Sequence, residues 1–151
     1  MRMTSSAGDF IDLSITGYQF GKAPTAPPGG WDENWLNISG HVRCGGDSWT
    51  FHDPCMTTWE VKELLAWLKR AQHGIPEPIE FTEPNLSFMA LVEAAAVASI
   101  VVTLKGEAAH PSLSDEDRWN DGQQVALDMS SHSLASIIEA WERDVAQFPE
   151  R

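Results

Sequence analysis

The sequence is short of tyrosine, cysteine and positive charge: one Tyr, two Cys, and 10 Lys or Arg against 22 Asp or Glu. Each shortage excludes something. Two cysteines, Cys44 and Cys55, cannot supply the disulfide framework of a small secreted domain. A formal net charge of −12 repels phosphate backbones and anionic membranes and attracts basic partners. No apolar run approaches the roughly 20 residues that span a bilayer. The longest, Ala94 to Val102, is strand-sized and interrupted by Ser99. Met1 to Ser6 lacks the basic-then-apolar order of a secretory signal. These readings place the chain in the cytoplasm, with neither membrane nor nucleic acid as its partner.

Catalytic signatures are missing too. There is no GxxxxGK[ST] or GxGxxG loop to cradle phosphates, no GxSxG elbow and no HExxH helix. Glu80 and Glu83, three apart on an expected strand, face opposite ways and cannot share acid–base work. His132 sits between two serines at a helix start, where capping or surface exposure is the ordinary role. The chain therefore reads as a binding protein, not an enzyme, with no cofactor.

What is present suits one folded domain over residues 1–151. Seven Trp promise a large aromatic core, with each indole N–H requiring a partner. The acid is unevenly spread: residues 1–74 hold 8 acids and 6 bases, whereas residues 75–151 hold 14 acids and 4 bases.

Periodicity supplies the elements. Phe10 to Tyr18 alternates apolar and polar residues, as a half-buried strand does. Gly21 to Gly30, rich in Pro, Ala and Gly, reads as a loop. Trp35 to Arg43 and Ser48 to His52 form an expected hairpin around Gly45-Gly46, because a type I′ turn needs positive φ twice. That turn sets Val42 opposite Trp49, His41 opposite Thr50 and Gly40 opposite Phe51. Thr57 and Glu60 make a capping box for a helix whose stripe is Val61, Leu64, Leu65 and Leu68 and whose close is Gly74. Strands are expected at Ile79 to Thr82, Leu86 to Val92, Val97 to Lys105 and Val125 to Met129, with His110 to Gly122 a polar loop. The alanine run Ala94 to Ala96 could equally be helical. A last helix, capped by Ser131 or Ser133, carries Leu134, Ile137, Ile138, Trp141, Val145 and Phe148 on one face and stops at Pro149. The order βββαββββα predicts an α+β fold: an antiparallel sheet of about six to seven strands with two amphipathic helices packed on it.

Two metal-like patterns fail on geometry. His41-x2-Cys44 and His52-x2-Cys55 resemble zinc spacing. In the hairpin register, however, Cys44 lies at the turn and Cys55 falls opposite Leu36, roughly 27 Å away at strand rise. One tetrahedron cannot hold all four, and a disulfide is equally out of reach. The acidic run Asp115 to Gly122 puts Trp119 where an EF-hand needs an oxygen. No metal site is expected.

Four segments carry a resemblance: Ile15-Thr16-Gly17-Tyr18-Gln19-Phe20, Asp32-Glu33-Asn34-Trp35-Leu36, Asp53-Pro54-Cys55-Met56-Thr57-Thr58-Trp59-Glu60 and Phe81-Thr82-Glu83-Pro84-Asn85-Leu86. With the terminal Phe148-Pro149-Glu150-Arg151, they resemble the WapI-type immunity proteins of bacterial polymorphic toxin systems. The resemblance implies an antitoxin that binds and neutralises the C-terminal toxic domain of a cognate contact-dependent toxin, a nuclease in the best-known systems of this type. A basic toxin would suit the acidic chain. The quoted motifs read mainly as fold-forming, with specificity on acidic loops. The expected contact residues are Asp115, Glu116, Asp117, Trp119 and Asp121, with a second group at Trp31, Asp32 and Glu33. A generic acidic interaction domain and an enzyme of unknown chemistry stay open as alternatives.

Overall fold

The computed structural model describes residues 1–21, 30–74, 76–93, 96–129 and 131–151. The Pro-rich segment before Gly30 and the start of the alanine run therefore fall almost wholly outside the described residues, as does the side chain of His132.

The class is α+β, built as two four-stranded antiparallel sheets. The first holds β1 (Arg2–Thr4), β2 (Phe10–Tyr18), β3 (Trp35–Cys44) and β4 (Asp47–Thr57), in that spatial order. The second holds β5 (Ile79–Glu80), β6 (Leu86–Glu93), β7 (Ala96–Leu104) and β8 (Gln123–Asp128), likewise in order. Strand periodicity predicted one sheet of six or seven strands. Alternation marks each strand's buried face but not the non-local decision of where a sheet stops. Here the break coincides with helix α1 (Thr58–Ala71), which separates β4 from β5.

The β3–β4 hairpin has the register its glycines require, with Val42 opposite Trp49, His41 opposite Thr50 and Gly40 opposite Phe51. Gly45 and Gly46 have φ of 61° and 96°. The register then slips between Leu36 and Ile38, so that Met56, not Cys55, stands opposite Leu36. A second irregularity, between Ile15 and Gly17 of β2, falls at the same level. Bulges increase local twist and re-aim side chains. Asp53 and Pro54 sit at the β3–β4 slip, between the pairs Ile38–Asp53 and Leu36–Met56. The strand expected over Ser48 to His52 runs on through these two residues to Thr57, and Pro54 is tolerated because β4 is an edge strand.

The capping box of α1 is complete: Glu60 N–H donates to Thr57 Oγ1 at 3.3 Å, and Thr57 N–H donates to Glu60 Oε2 at 2.7 Å. Val61, Leu64, Trp67, Leu68 and Ala71 are buried, whereas Leu65 is only half-buried, so Trp67 shares the stripe. The helix ends at Ala71, before Gly74 can close it. Helix α3 (Ser131–Ala146) buries Leu134, Ile137, Ile138, Trp141 and Val145. Ser133 lies inside that helix, not at its cap, and the side chain of Ser131 is outside the description. Burying each large side chain contributes about 1.5–3 kcal/mol.

The indoles find the partners their burial demands. Trp141 Nε1 donates to Val61 O at 3.0 Å, joining α3 to α1. Trp49 Nε1 donates to Ala108 O at 2.9 Å, joining the first sheet to the turn after β7. Trp67 Nε1 donates to Glu77 O at 2.7 Å. Both sheets, α1 and α3 thereby share one core.

The expected polar loop 110–122 contains a third helix, α2 (Asp115–Asn120), which buries none of its residues. Ser114 caps it, accepting from Asp117 N–H at 3.1 Å. Six residues, three of them acidic and none in an apolar stripe, give no helical periodicity, which is why the stretch reads as a loop.

Candidate functional site

Two stretches far apart in sequence meet at one cleft. Asp32, from the short 3-10 turn Asp32–Asn34, and Trp119, from α2, both line a cavity of about 460 Å³. The remaining described lining comes from five further segments: Gln19 and Phe20 after β2, Trp35 of β3, Asp53 and Pro54 of β4, Glu83 and Asn85 from the turn before β6, and Glu107 from the turn after β7.

Glycine chemistry sets one wall. Gly106 has φ of 53°, and a Cβ there would stand 2.5 Å from Trp119 Cη2. The absent side chain is what lets the indole pack on the backbone beside Glu107. Arg118 fastens the same contact, its Nε and Nη2 donating to Gly106 O at 3.1 and 2.9 Å. Glu107 is itself steadied by buried Asn85, whose Nδ2 donates to Glu107 Oε2 at 3.1 Å.

The opposite wall depends on Asn34, which is fully buried. Its Nδ2 donates to Gly30 O at 2.9 Å and Arg151 O at 3.2 Å. Its Oδ1 accepts from Thr58 Oγ1 at 2.9 Å and Arg151 N–H at 3.0 Å. Those bonds hold the Asp32–Asn34 turn against α1 and the Phe148–Arg151 segment. The Arg151 guanidinium lies 3.3 Å from the centroid of the Tyr18 ring, and its Nη1 donates to Phe20 O at 3.2 Å. The backbone of Phe20 is thus tied down while its ring is 48% exposed at the cleft.

Among the described residues four carboxylates face this cleft, from Asp32, Asp53, Glu83 and Glu107, and neither Lys nor Arg lines it. None of the four has a salt bridge among the described residues. Burial, and next the negative charge of Glu107 and Glu83, raise the Asp53 carboxyl above its ordinary range, against a smaller opposing effect of His52. No group of three or more His, Cys, Asp or Glu among the described residues is placed to hold a metal ion. The carboxylates border a space; they do not converge on a point.

The other expected contact residues distribute around this cleft. Trp31 is 54% exposed, lies tilted against Trp59 at 5.2 Å and meets Trp35 of the lining edge-on at 6.4 Å. Glu33 is only 7% exposed, because the 3-10 turn points it inward. Asp115, Glu116, Asp117 and Asp121 are exposed on or beside α2, and Asp117 also accepts from Ser114 Oγ at 2.7 Å. Asp53, Glu83 and Glu107 were missed as site residues. The first two belong to motifs read as fold-forming, and that reading holds for Thr57 and Glu60 in the same stretch. Glu107 carries no sequence signal of its own.

The paired histidines of the β3–β4 face make local bonds, His41 Nε2 with Ser48 Oγ at 3.0 Å and His52 Nδ1 with Ser39 Oγ at 2.8 Å. Cys44 and Cys55 are both free thiols. Among the described residues no helix is long and apolar enough to cross a membrane.

The chain has no match among curated proteins and none among solved structures. The model of one family, described as Immunity protein WapI-like family, matches residues 2–149, and the chain belongs to that family.

Proposed function

We infer that this protein is a cytoplasmic antitoxin that binds the C-terminal toxic domain of a cognate polymorphic toxin and neutralises it stoichiometrically, without turnover. The observation that carries the reading is the cleft: four carboxylates with no lining cation among the described residues, bordered by exposed aromatic rings, in a member of an immunity protein family. Interfaces are dominated by a few aromatic and arginine anchors, and charge complementarity guides their encounter. Trp119 and Phe20 supply aromatic area. Asp32, Asp53, Glu83 and Glu107 supply charge opposite to that of a basic toxin. A nuclease toxin fits this scheme, because a cleft that holds phosphates is basic and an acidic inhibitor competes for it.

The test is rescue. Cells expressing the toxin domain encoded beside this gene should survive when the chain is co-expressed, and the two proteins should elute as one complex. Continued death with abundant folded chain would remove the antitoxin reading.

A further inference from the structure

We propose that the cleft between Trp119 and Asp32 is an arginine clamp, taking a guanidinium presented on the surface of the partner protein. The inference takes its partner from the antitoxin reading and adds the chemistry of the anchor.

Among the described residues the charge of the cleft is unanswered from within. Burial, and next the charges of Glu107 and Glu83, disfavour ionisation of Asp53, and no salt bridge relieves any of the four carboxylates among the described residues. The nearby cations among the described residues are engaged elsewhere: Arg118 binds Gly106 O, Lys105 Nζ donates to Asn120 O at 2.6 Å, and Arg151 packs on Tyr18. An incoming cation would relieve a repulsion that folding leaves in place.

The shape selects which cation. The four carboxylates are spread around a volume of about 460 Å³, far larger than a coordination sphere, and they do not group as metal ligands. The borders are aromatic: Phe20, Trp35 and Trp119. A guanidinium is planar, stacks on aromatic faces and donates from a fixed fork to more than one carboxylate. An ammonium is a compact, strongly hydrated point charge that uses neither the rings nor the spread of the acceptors as well. The clamp walls are also fixed before binding. Trp119 is seated on Gly106, Glu107 is held by Asn85, and the Phe20 backbone is held by Arg151, so little ordering is left for the encounter.

The test titrates the full chain with an acetylated hexa-arginine peptide and separately with hexa-lysine, following amide and indole N–H resonances. The expected result is shifts centred on Asp53, Glu83, Glu107 and the Trp35 and Trp119 indoles, with arginine binding about tenfold tighter than lysine. Asp53→Asn with Glu107→Gln should weaken arginine binding about tenfold. Glu63→Gln with Glu139→Gln removes the same charge from exposed helix positions and should change it by no more than about twofold. Equal affinity for the two peptides, shifts away from the cleft, or equal loss in both double variants would overturn the clamp and leave only a general acidic field. Resonance dispersion confirms that each variant is folded, and Trp119→Ala gives an independent uncharged check that should also weaken arginine binding. Cell rescue separates the two readings. A wild-type chain that rescues, matched by an Asp53→Asn, Glu107→Gln chain that rescues equally, overturns the clamp and keeps the antitoxin. Peptide selectivity without rescue removes the antitoxin and keeps the clamp.

Discussion

Trp119 packs on Gly106 so closely that a Cβ at residue 106 would lie 2.5 Å from its ring, and the glycine φ of 53° is one that side chains disfavour. The two restrictions act together on a single wall of the cleft. Gly106→Ala should therefore destabilise the fold by about 1–3 kcal/mol and displace the indole. Urea unfolding followed by far-UV circular dichroism measures the first effect. A shift in the Trp119 indole resonance measures the second. An unchanged resonance would show that the ring does not depend on the bare backbone.

Glu60 is expected to matter for stability and not for recognition. Its carboxylate accepts from Thr57 N–H, Thr57 Oγ1 and Thr82 N–H, at 2.7, 2.9 and 2.7 Å, so one buried side chain caps α1 and anchors the turn after β5. Glu60→Ala leaves those donors without their acceptor and should cost about 2–4 kcal/mol. Thr57→Ala should cost less, about 1–2 kcal/mol, because the Glu60 carboxylate remains. Partner affinity of the folded fraction should hold in both variants. A large loss of affinity without loss of stability would move Glu60 into the interface.

Thr57 and Glu60 were legible because a capping box is local, four residues long, and written in side-chain types. The pairing of Val42 with Trp49 was legible for a similar reason: two glycines fix the turn, and alternation on each side fixes the faces. Met56 opposite Leu36 was not legible, since a bulge adds one residue without any change in composition. The cleft was legible only in its two flanks, Asp32 and Trp119. Asp53, Glu83 and Glu107 reach it from β4 and from two turns beside the second sheet, and no short-range pattern relates them. Charge density pointed to residues 75–151, yet the cleft draws Asp32 and Asp53 from the less acidic half. Local density and convergence in space are different quantities.

Asp53 ties the cleft to pH. Its folded carboxyl titrates above the ordinary range, first through burial and then through Glu107 and Glu83, with His52 opposing. A raised carboxyl favours the protonated form in the folded state. Its stabilising contribution is thus complete below the unfolded pKa and is lost as pH rises through the folded one. Wild-type stability should therefore fall, relative to Asp53→Asn, as pH climbs from about 4 toward neutrality. Paired urea midpoints across that range measure it. A gap between the two proteins that stays constant with pH would mean that Asp53 is not strained. The same substitution should weaken partner binding at neutral pH, the pattern expected where charge is kept for recognition at the expense of stability.

The acids of α2 and the acids of the cleft should separate kinetically. Asp115, Glu116 and Asp117 are exposed beside Trp119, from where they would act on a partner through the long-range field. Neutralising all three should lower the association rate severalfold at low salt and flatten its dependence between about 50 and 300 mM, with little change in dissociation. Glu107 is different, because Asn85 holds it inside the cleft, where a bound cation would contact it directly. Glu107→Gln should leave association nearly unchanged and speed dissociation, since most affinity differences within one interface lie in the off-rate. Surface plasmon resonance against the toxin domain resolves both rates. Should the α2 variant change only the dissociation rate, its carboxylates would be contacts in the bound state, and the centre of the interface would move from the cleft to the helix.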